Sequence, residues 1–177
     1  EGADVAFTYR SQHEAAESLV KEIEALGVKA KGFASDAADY EGAHEIVSQV
    51  HKEFGRIDIL VNNAGTGAVG PAEEITDEQF KHEMNIDLFG TFICAREFGK
   101  EMIKAQYGRI INIASMYGLV GNLIVGSAPY HAAKGGVVNF TRALAAEWGK
   151  YGITVNSICP GYFYTDLTTE TLVSDFF

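Results

Sequence analysis

The alternation of short apolar segments with longer segments of helical periodicity constrains this chain most. Apolar segments that predict β-strands lie at residues 4–9, 28–34, 57–61, 110–114 and 153–158. Helices are predicted between them, one each at residues of about 12–26, 39–54 and 129–150, and one or two at residues of about 76–106. Strands and helices that alternate in this way form right-handed βαβ units around a parallel sheet. We therefore predict an α/β fold, a three-layer sandwich built on a doubly wound parallel sheet.

Length and composition fit one globular domain that spans residues 1–177. Apolar residues make up 47% of the chain and charged residues 21%, which is enough apolar material for a core. No stretch approaches the roughly 20 apolar residues of a membrane span, and no signal peptide is visible. The net charge of −10 disfavours nucleic acid and anionic membranes as partners.

Two cysteines, Cys94 and Cys159, lie in apolar surroundings without the spacing of metal ligands. We expect buried free thiols in a reducing compartment, which favours the cytoplasm, with a single disulfide as the alternative. The histidines also lack ligand partners at fixed spacing, so no metal site is predicted.

The strand at 110–114 leads into the residues that most suggest chemistry. Ser115 follows it, a Gly-rich loop comes next, and Pro129 marks a helix start. Tyr130 and Lys134 are four residues apart, so they share one helix face. A free phenol ionises only near pH 10, about three units above neutrality, and a nearby ammonium group favours its ionised form. Such a pair could transfer protons, although a surface Tyr–Lys pair on a helix would have the same spacing.

Other predicted strands also end in candidate site residues. The strand at 57–61 runs into Asn62–Asn63–Ala64–Gly65, and the last strand runs into Cys159–Pro160–Gly161. Ligands of open α/β sheets bind at the carboxyl ends of strands, where Ser115 would also lie. A plain turn is the alternative interpretation of the Asn–Asn–Ala–Gly sequence.

The order of Asn62–Asn63–Ala64–Gly65, Ser115, Tyr130–x–x–x–Lys134 and Pro160–Gly161 resembles the short-chain dehydrogenase/reductase family. The resemblance covers essentially the whole chain. It implies a Rossmann-type fold, a nicotinamide cofactor and hydride transfer at a carbonyl carbon. It also implies assembly as a homotetramer or homodimer.

The resemblance further implies three catalytic residues. Tyr130 would be the general acid in reduction and the base in oxidation. Lys134 would support Tyr130 and hold the nicotinamide ribose, and Ser115 would bind the substrate oxygen. The cofactor contacts implied beside Tyr130 and Lys134 are Asp36, Asn62, Ala64, Gly65, Pro160, Gly161 and Thr165. Asp36 would lie near the adenine amine, with a helix N-cap as the alternative role.

Gly65 has a physical reason of its own, because backbone that approaches a cofactor closely leaves no room for a side chain. The end of the first strand indicates which cofactor binds. NAD enzymes place an acid there for the ribose 2′-hydroxyl, but this chain has Arg10 and Ser11. Arg10 could pair with a 2′-phosphate, so we predict NADP, with NAD as the alternative.

The chain departs from the family pattern in three places. The Gly-rich phosphate-binding unit that precedes the first strand is absent, and the segment that covers the substrate stops at Phe177. We therefore expect both ends of the domain to be incomplete. Asp87 also stands where the family has a catalytic Asn, which puts the proton relay in question.

The expected substrate is a small carbonyl or alcohol compound. The sequence around Ser115 and Tyr130 resembles sugar and polyol enzymes such as gluconate 5-dehydrogenase. The first third of the chain resembles 3-oxoacyl-carrier-protein reductase, which is the alternative. Two alternatives of other classes are a non-catalytic nucleotide-binding relative and an inactive fragment or assembly unit.

Overall fold

The computed structural model describes residues 2–37, 39–67, 69–123 and 126–163. The strands within these ranges are β1 (Val5–Tyr9), β2 (Ala30–Ala34), β3 (Ile59–Asn62), β4 (Gly108–Ile113) and β5 (Ile153–Ile158). The helices are α1 (His13–Glu24), α2 (Tyr40–Phe54), α3 (Asp77–Met84), α4 (Thr91–Ala105) and α5 (Ala128–Trp148). Each predicted element therefore lies within a few residues of its expected position.

The paired strands are all parallel, as the βαβ pattern predicts. In the described residues they form two sheets, β1–β2 and β3–β4–β5, with β4 in the centre of the second. The register places Ile110 of β4 opposite Leu60 of β3 and Val155 of β5. Parallel pairing in register brings the carboxyl ends of neighbouring strands to the same edge.

Helices α1 and α2 lie on opposite faces of β2, as a doubly wound sheet requires. Phe33 packs on Val50 of α2 and Phe98 of α4. Ala30 faces the other way and lines a cleft with Ala16 of α1. Because side chains alternate along a strand, residues at odd and even positions of β2 contact different helices.

The main core lies between the second sheet and the pair α4–α5. Ile110 and Met102 are fully buried there, and Trp148 packs beside them. A Cβ on Gly99 would lie 2.5 Å from the Trp148 ring, so only glycine lets α4 contact the indole this closely. On the opposite face of this sheet, Ile59 and Val61 are 55% and 52% exposed, so the described helices cover one face of it.

The segment at 76–106, where one or two helices are predicted, contains two α-helices and a turn between them. Thr76 and Gln79 form a capping box that begins α3, as the sequence indicates. A π-helical turn, Asn85–Gly90, then joins α3 to α4. The turn matters for the site because π-helical turns often lie at functional positions.

Candidate active site

The ends of four strands border one region of the molecule. The backbone N–H of Met116, after β4, donates to the Pro160 carbonyl, after β5, at 3.0 Å. A Cβ on Gly90, at the end of the π-helical turn, would lie 2.9 Å from the Ala37 carbonyl after β2. The loops after β2 and β3 therefore contact the π-helical turn, and the loops after β4 and β5 contact each other, at the strand ends where the sequence predicted a ligand site.

Ser115 is held directly at the end of β4. Its side chain is buried, and its Oγ accepts a hydrogen bond from the Tyr117 backbone N–H at 3.2 Å. That bond begins a short 3-10 turn that packs on α5. A Cβ on Gly118 would lie 2.7 Å from the Lys134 carbonyl, so glycine is required for this contact. Ser115 is therefore fixed next to the helix that carries Lys134.

Tyr130 and Lys134 lie on the first turns of α5, and Pro129 occupies the helix start as predicted. The Lys134 Nζ lies 5.5 Å from the centroid of the Tyr130 ring. The same Nζ donates to the Ile113 carbonyl at 3.1 Å, at the end of β4. Lys134 thus joins Tyr130 to the strand that leads into Ser115, and the three predicted catalytic residues lie together.

The ammonium group of Lys134 is also paired with a carboxylate. Asp87, in the π-helical turn, places its Oδ1 2.7 Å from Lys134 Nζ, and both side chains are buried. Its Oδ2 accepts from the Thr66 backbone N–H at 2.9 Å. A Cβ on Gly65 would lie 2.7 Å from Asp87 Oδ1, so this ion pair gives a second reason for a glycine there. The sequence identified Asp87 as a departure but did not predict its contact with Lys134.

Asn62 takes part in a buried network beneath the site. Its Nδ2 donates to Asn112 Oδ1 at 2.8 Å, and Asn112 Nδ2 donates to Thr141 Oγ1 at 2.9 Å. Thr141 donates in turn to the Val137 carbonyl at 2.8 Å. The network joins β3, β4 and α5. Asn112 and Thr141 were missed by the sequence analysis, although an amide within an apolar strand signals a buried partner.

A second phenol, Tyr117, lies close to Tyr130. Its hydroxyl is 3.0 Å from that of Tyr162, and its ring packs on the His131 ring at 4.8 Å. Burial raises the pKa of Tyr117 to about 12, with the hydrogen bond to Tyr162 and the nearby Tyr130 adding to the effect. Its raised pKa makes Tyr117 a poorer proton donor than an ordinary phenol, and the Lys134 ammonium lies beside Tyr130, so Tyr130 is the better acid–base candidate. No motif in the sequence predicted that Tyr117, Tyr162 and His131 lie together in this region.

The predicted cofactor residues occupy the expected strand ends. Arg10 and Ser11 are exposed immediately after β1, Ala64 and Gly65 after β3, and Gly161 after β5. Thr165 lies outside the described residues.

The N-cap alternative for Asp36 is wrong. Asp39 is the residue before α2, and its Oδ1 accepts from the Gly42 backbone N–H at 3.1 Å. Asp36 lies three residues earlier, in the loop after β2.

The two cysteines are free, and burial raises the pKa of Cys94. Within the described part of the chain, we find no cluster of three or more His, Cys, Asp or Glu side chains that could hold a metal ion. The helices described are too short or too polar to cross a bilayer.

Comparison with known proteins decides the family. The family model described as short chain dehydrogenase matches residues 1–174. The chain belongs to the short-chain dehydrogenase family. Its α/β fold with parallel strands is accordingly Rossmann-like.

Similar short-chain dehydrogenases act on different substrates, as their names indicate. The chain is 39% identical over 172 residues to 2-dehydro-3-deoxy-D-gluconate 5-dehydrogenase of Formosa agariphila, covering 97% of this chain and 64% of that protein. It is 35% identical over 168 residues to the 3-oxoacyl-[acyl-carrier-protein] reductase FabG of Staphylococcus aureus, covering 95% and 68%. The chain thus spans about two thirds of the length of the curated relatives it matches.

Among solved structures, a gluconate 5-dehydrogenase from Burkholderia cenocepacia in complex with NADP and tartrate superimposes with a TM-score of 0.90. The two sequences are 31% identical, and the match covers 98% of this chain and 67% of that one. Both predicted substrate classes, sugar acids and 3-oxoacyl thioesters, therefore occur among the similar proteins.

Proposed function

We propose that this protein transfers a hydride between NADP and a carbonyl or secondary alcohol group, and that its substrate is a sugar, a polyol or a sugar acid such as gluconate. One observation carries the proposal: Lys134 is buried between the Tyr130 ring and the end of β4, where its Nζ contacts the Ile113 carbonyl two residues before Ser115. A lysine held there serves acid–base chemistry at the strand ends, where ligands of such sheets bind.

The three side chains have distinct tasks in this chemistry. In reduction, Tyr130 donates its hydroxyl proton to the carbonyl oxygen, and in oxidation its phenolate takes the alcohol proton. Ser115 donates a hydrogen bond to the same oxygen and so orients the substrate. The Lys134 ammonium stabilises the phenolate that remains after proton transfer. The nicotinamide ring, when bound, supplies or accepts the hydride at the carbon atom.

The donor set at the strand ends fits NADP. Arg10 and Ser11 are exposed at the end of β1, and residues 8–11 contain no carboxylate that would repel a 2′-phosphate. Asp36 would contact the adenine, and Lys134 would hold the nicotinamide ribose. The remaining proposed contacts are Asn62, Ala64, Gly65, Tyr130, Pro160, Gly161 and Thr165. NAD is the alternative cofactor.

Two of the similar proteins favour a sugar acid as the substrate, because the names of both contain the words gluconate 5-dehydrogenase. The second candidate is reduction of 3-oxoacyl thioesters, which the 35% identity to FabG favours. Two free cysteines support a reducing compartment, so we place the enzyme in the cytoplasm.

The experiment that separates the candidates measures oxidation and reduction by the full-length protein, with NADP and NAD in parallel. The substrates are sugars, polyols, sugar acids and 3-oxoacyl thioesters. We expect turnover of a sugar acid or keto-sugar with NADP. Turnover of thioesters alone would replace the first candidate by the second. Cofactor binding without turnover of any substrate would instead support a non-catalytic nucleotide-binding protein.

A further inference from the structure

Asp87 is the most deeply buried charged group near the proposed catalytic residues. Its side chain has no solvent exposure, and that of Lys134 has 5%. Burying a carboxylate costs free energy unless an opposite charge balances it and its oxygens accept hydrogen bonds. Here Lys134 balances the charge, and the Thr66 N–H serves the second oxygen.

The ion pair and its hydrogen bonds link separate elements of the fold. Asp87 belongs to the π-helical turn, Thr66 to the loop after β3, and Lys134 to α5. The Lys134 Nζ also contacts the carbonyl of Ile113 on β4. The ammonium group therefore has a fixed place, set by Asp87 from one side and by the end of β4 from the other.

Other titratable groups lie around this pair on every neighbouring element. Glu83 is buried on α3, one helical turn before Asp87. Asp36 lies in the loop after β2, next to Ala37, whose carbonyl approaches Gly90 of the π-helical turn. Tyr130 and His131 lie on α5 with Lys134, and Tyr117 lies on the turn after β4. Among these, Asp87 is the group whose carboxylate lies within salt-bridge distance of Lys134 in the described residues.

We propose that Asp87 is a positioning residue that anchors the Lys134 ammonium and, by offsetting its charge, sets the pH range in which Tyr130 transfers protons. This inference rests on the proposed function, because it concerns the same site. Lys134 favours the Tyr130 phenolate through its positive charge, and the negative charge of Asp87, 2.7 Å from that ammonium group, weakens its field. Loss of the carboxylate would leave the ammonium uncompensated, so the phenolate would form at lower pH.

The test is Asp87→Asn in the full-length protein. The amide keeps an acceptor for the Thr66 N–H and nearly the same volume, but it removes the charge. We expect the acidic limb of kcat for alcohol oxidation to move to lower pH by about one unit. We also expect KM for NADP to rise, because Lys134 is the proposed contact of the nicotinamide ribose and loses one of its two fixed contacts.

A second readout does not depend on turnover. Ultraviolet difference spectra against the matching Tyr130→Phe protein isolate the phenolate absorbance of Tyr130 during a pH titration. We expect the phenolate to form at a pH about one unit lower in the Asp87→Asn background. An unchanged titration midpoint would overturn the role of Asp87. If the Asn variant does not fold, Asp87→Ser removes the same charge and is titrated in the same way.

The matched control is Glu97→Gln on α4. Glu97 is also buried, and its carboxylate pairs with Arg96 and Lys100 at 2.6 Å and with His44 at 3.1 Å. This variant loses a buried ion pair away from Tyr130, so it should lower stability without moving either pH profile. If the pH profiles of Asp87→Asn and Glu97→Gln shifted equally, the cause would be a general loss of stability and not the charge of Asp87.

The two readouts separate this inference from the proposed function. If the full-length protein oxidises no alcohol and reduces no carbonyl, the proposed function fails. The absorbance titration still decides the role of Asp87 in that case, because it follows Tyr130 directly.

Discussion

Two phenols lie close together beside Ser115, and their surroundings give them different properties. Tyr117 is half-buried and shares a hydrogen bond with Tyr162, and its loss of solvent, followed by that hydrogen bond, raises its pKa to about 12. Tyr130 instead has the Lys134 ammonium 5.5 Å from its ring. At the scale of single residues, the site therefore contains one phenol that stays protonated and one that faces a positive charge.

The first prediction concerns these phenols. Tyr130→Phe removes the proposed acid–base group and should lower kcat by a factor of about 100 or more, with the Kd for NADPH nearly unchanged. Steady-state kinetics and fluorescence titration of NADPH measure the two effects. Tyr117→Phe is the matched control and should retain most of the activity. Retained turnover in the Tyr130 variant would remove Tyr130 from this role.

The second prediction concerns Arg10, the exposed cation at the end of β1. Arg10→Asp should reverse the attraction for a 2′-phosphate and lower kcat/KM for NADP relative to NAD by about tenfold or more. Lys52→Asp makes the same charge change at an exposed position of α2 and should leave the ratio unchanged. A constant NADP preference in the Arg10 variant would contradict our assignment of the phosphate contact.

At the scale of elements, polar contacts join strands to the helices that cover them. The buried amides of Asn62 and Asn112 and the hydroxyl of Thr141 join β3, β4 and α5. On the first sheet, Glu53 at the end of α2 pairs with Lys31 of β2 and with Lys29 just before it. Both contacts set how a helix lies on its strand, which in turn places the strand ends.

The third prediction uses the pH dependence of the Glu53 contact. Hydrogen bonds from Lys29, and then Lys31, lower the pKa of Glu53 from 4.5 to about 2. A carboxyl group whose pKa is lowered by folding stabilises the protein at pH values above its pKa in the unfolded chain. That contribution is lost as the pH falls toward the folded pKa, here about 2. Glu53→Gln should therefore be less stable than the wild type at neutral pH, and the difference should shrink below about pH 4.

Urea unfolding across this pH range measures the effect. Glu45→Gln, at an exposed position of the same helix, is the control and should show a smaller difference at neutral pH. A difference between wild type and Glu53→Gln that is independent of pH would show that the carboxylate charge contributes nothing to stability.

At the scale of the whole molecule, an apolar cleft opens between α5 and the helices before it. Its lining includes Met84, Leu88, Phe89, Phe92 and Phe140. Phe89 is 39% exposed, although large aromatic side chains are usually covered. We propose that a second copy of the chain covers this face through its own α4 and α5, in a homotetramer or homodimer.

The fourth prediction tests that assembly. Phe89→Asp places a charge on the apolar face and should shift the full-length protein to a smaller species in light scattering coupled to size exclusion. Leu26→Asp changes another exposed apolar residue, in the loop between α1 and β2, and should leave the mass unchanged. A smaller species is also expected to keep cofactor binding, because Phe89 lies outside the residues proposed to contact NADP.

Sequence alone determined the order of the elements and the class of the fold. Apolar periodicity and glycine or proline at the boundaries are local signals, so the strands, the start of α5 and the capping box of α3 were predictable. The motif order was also sufficient to identify the family and to name Ser115, Tyr130 and Lys134. The predictions of strands, helix starts and caps depend on residues that are near one another along the chain, and the family resemblance depends on the order of short motifs.

Tertiary structure alone decided the contacts between distant segments. Asp87 and Lys134 are 47 positions apart in numbering, and only the packing of the π-helical turn on α5 brings their charges together. The Asn62–Asn112–Thr141 network and the contact of Tyr117 with Tyr162 arise in the same way. The partner of a side chain depends on which surfaces the fold brings into contact. The spacing of residues along the sequence does not encode the distance between such side chains.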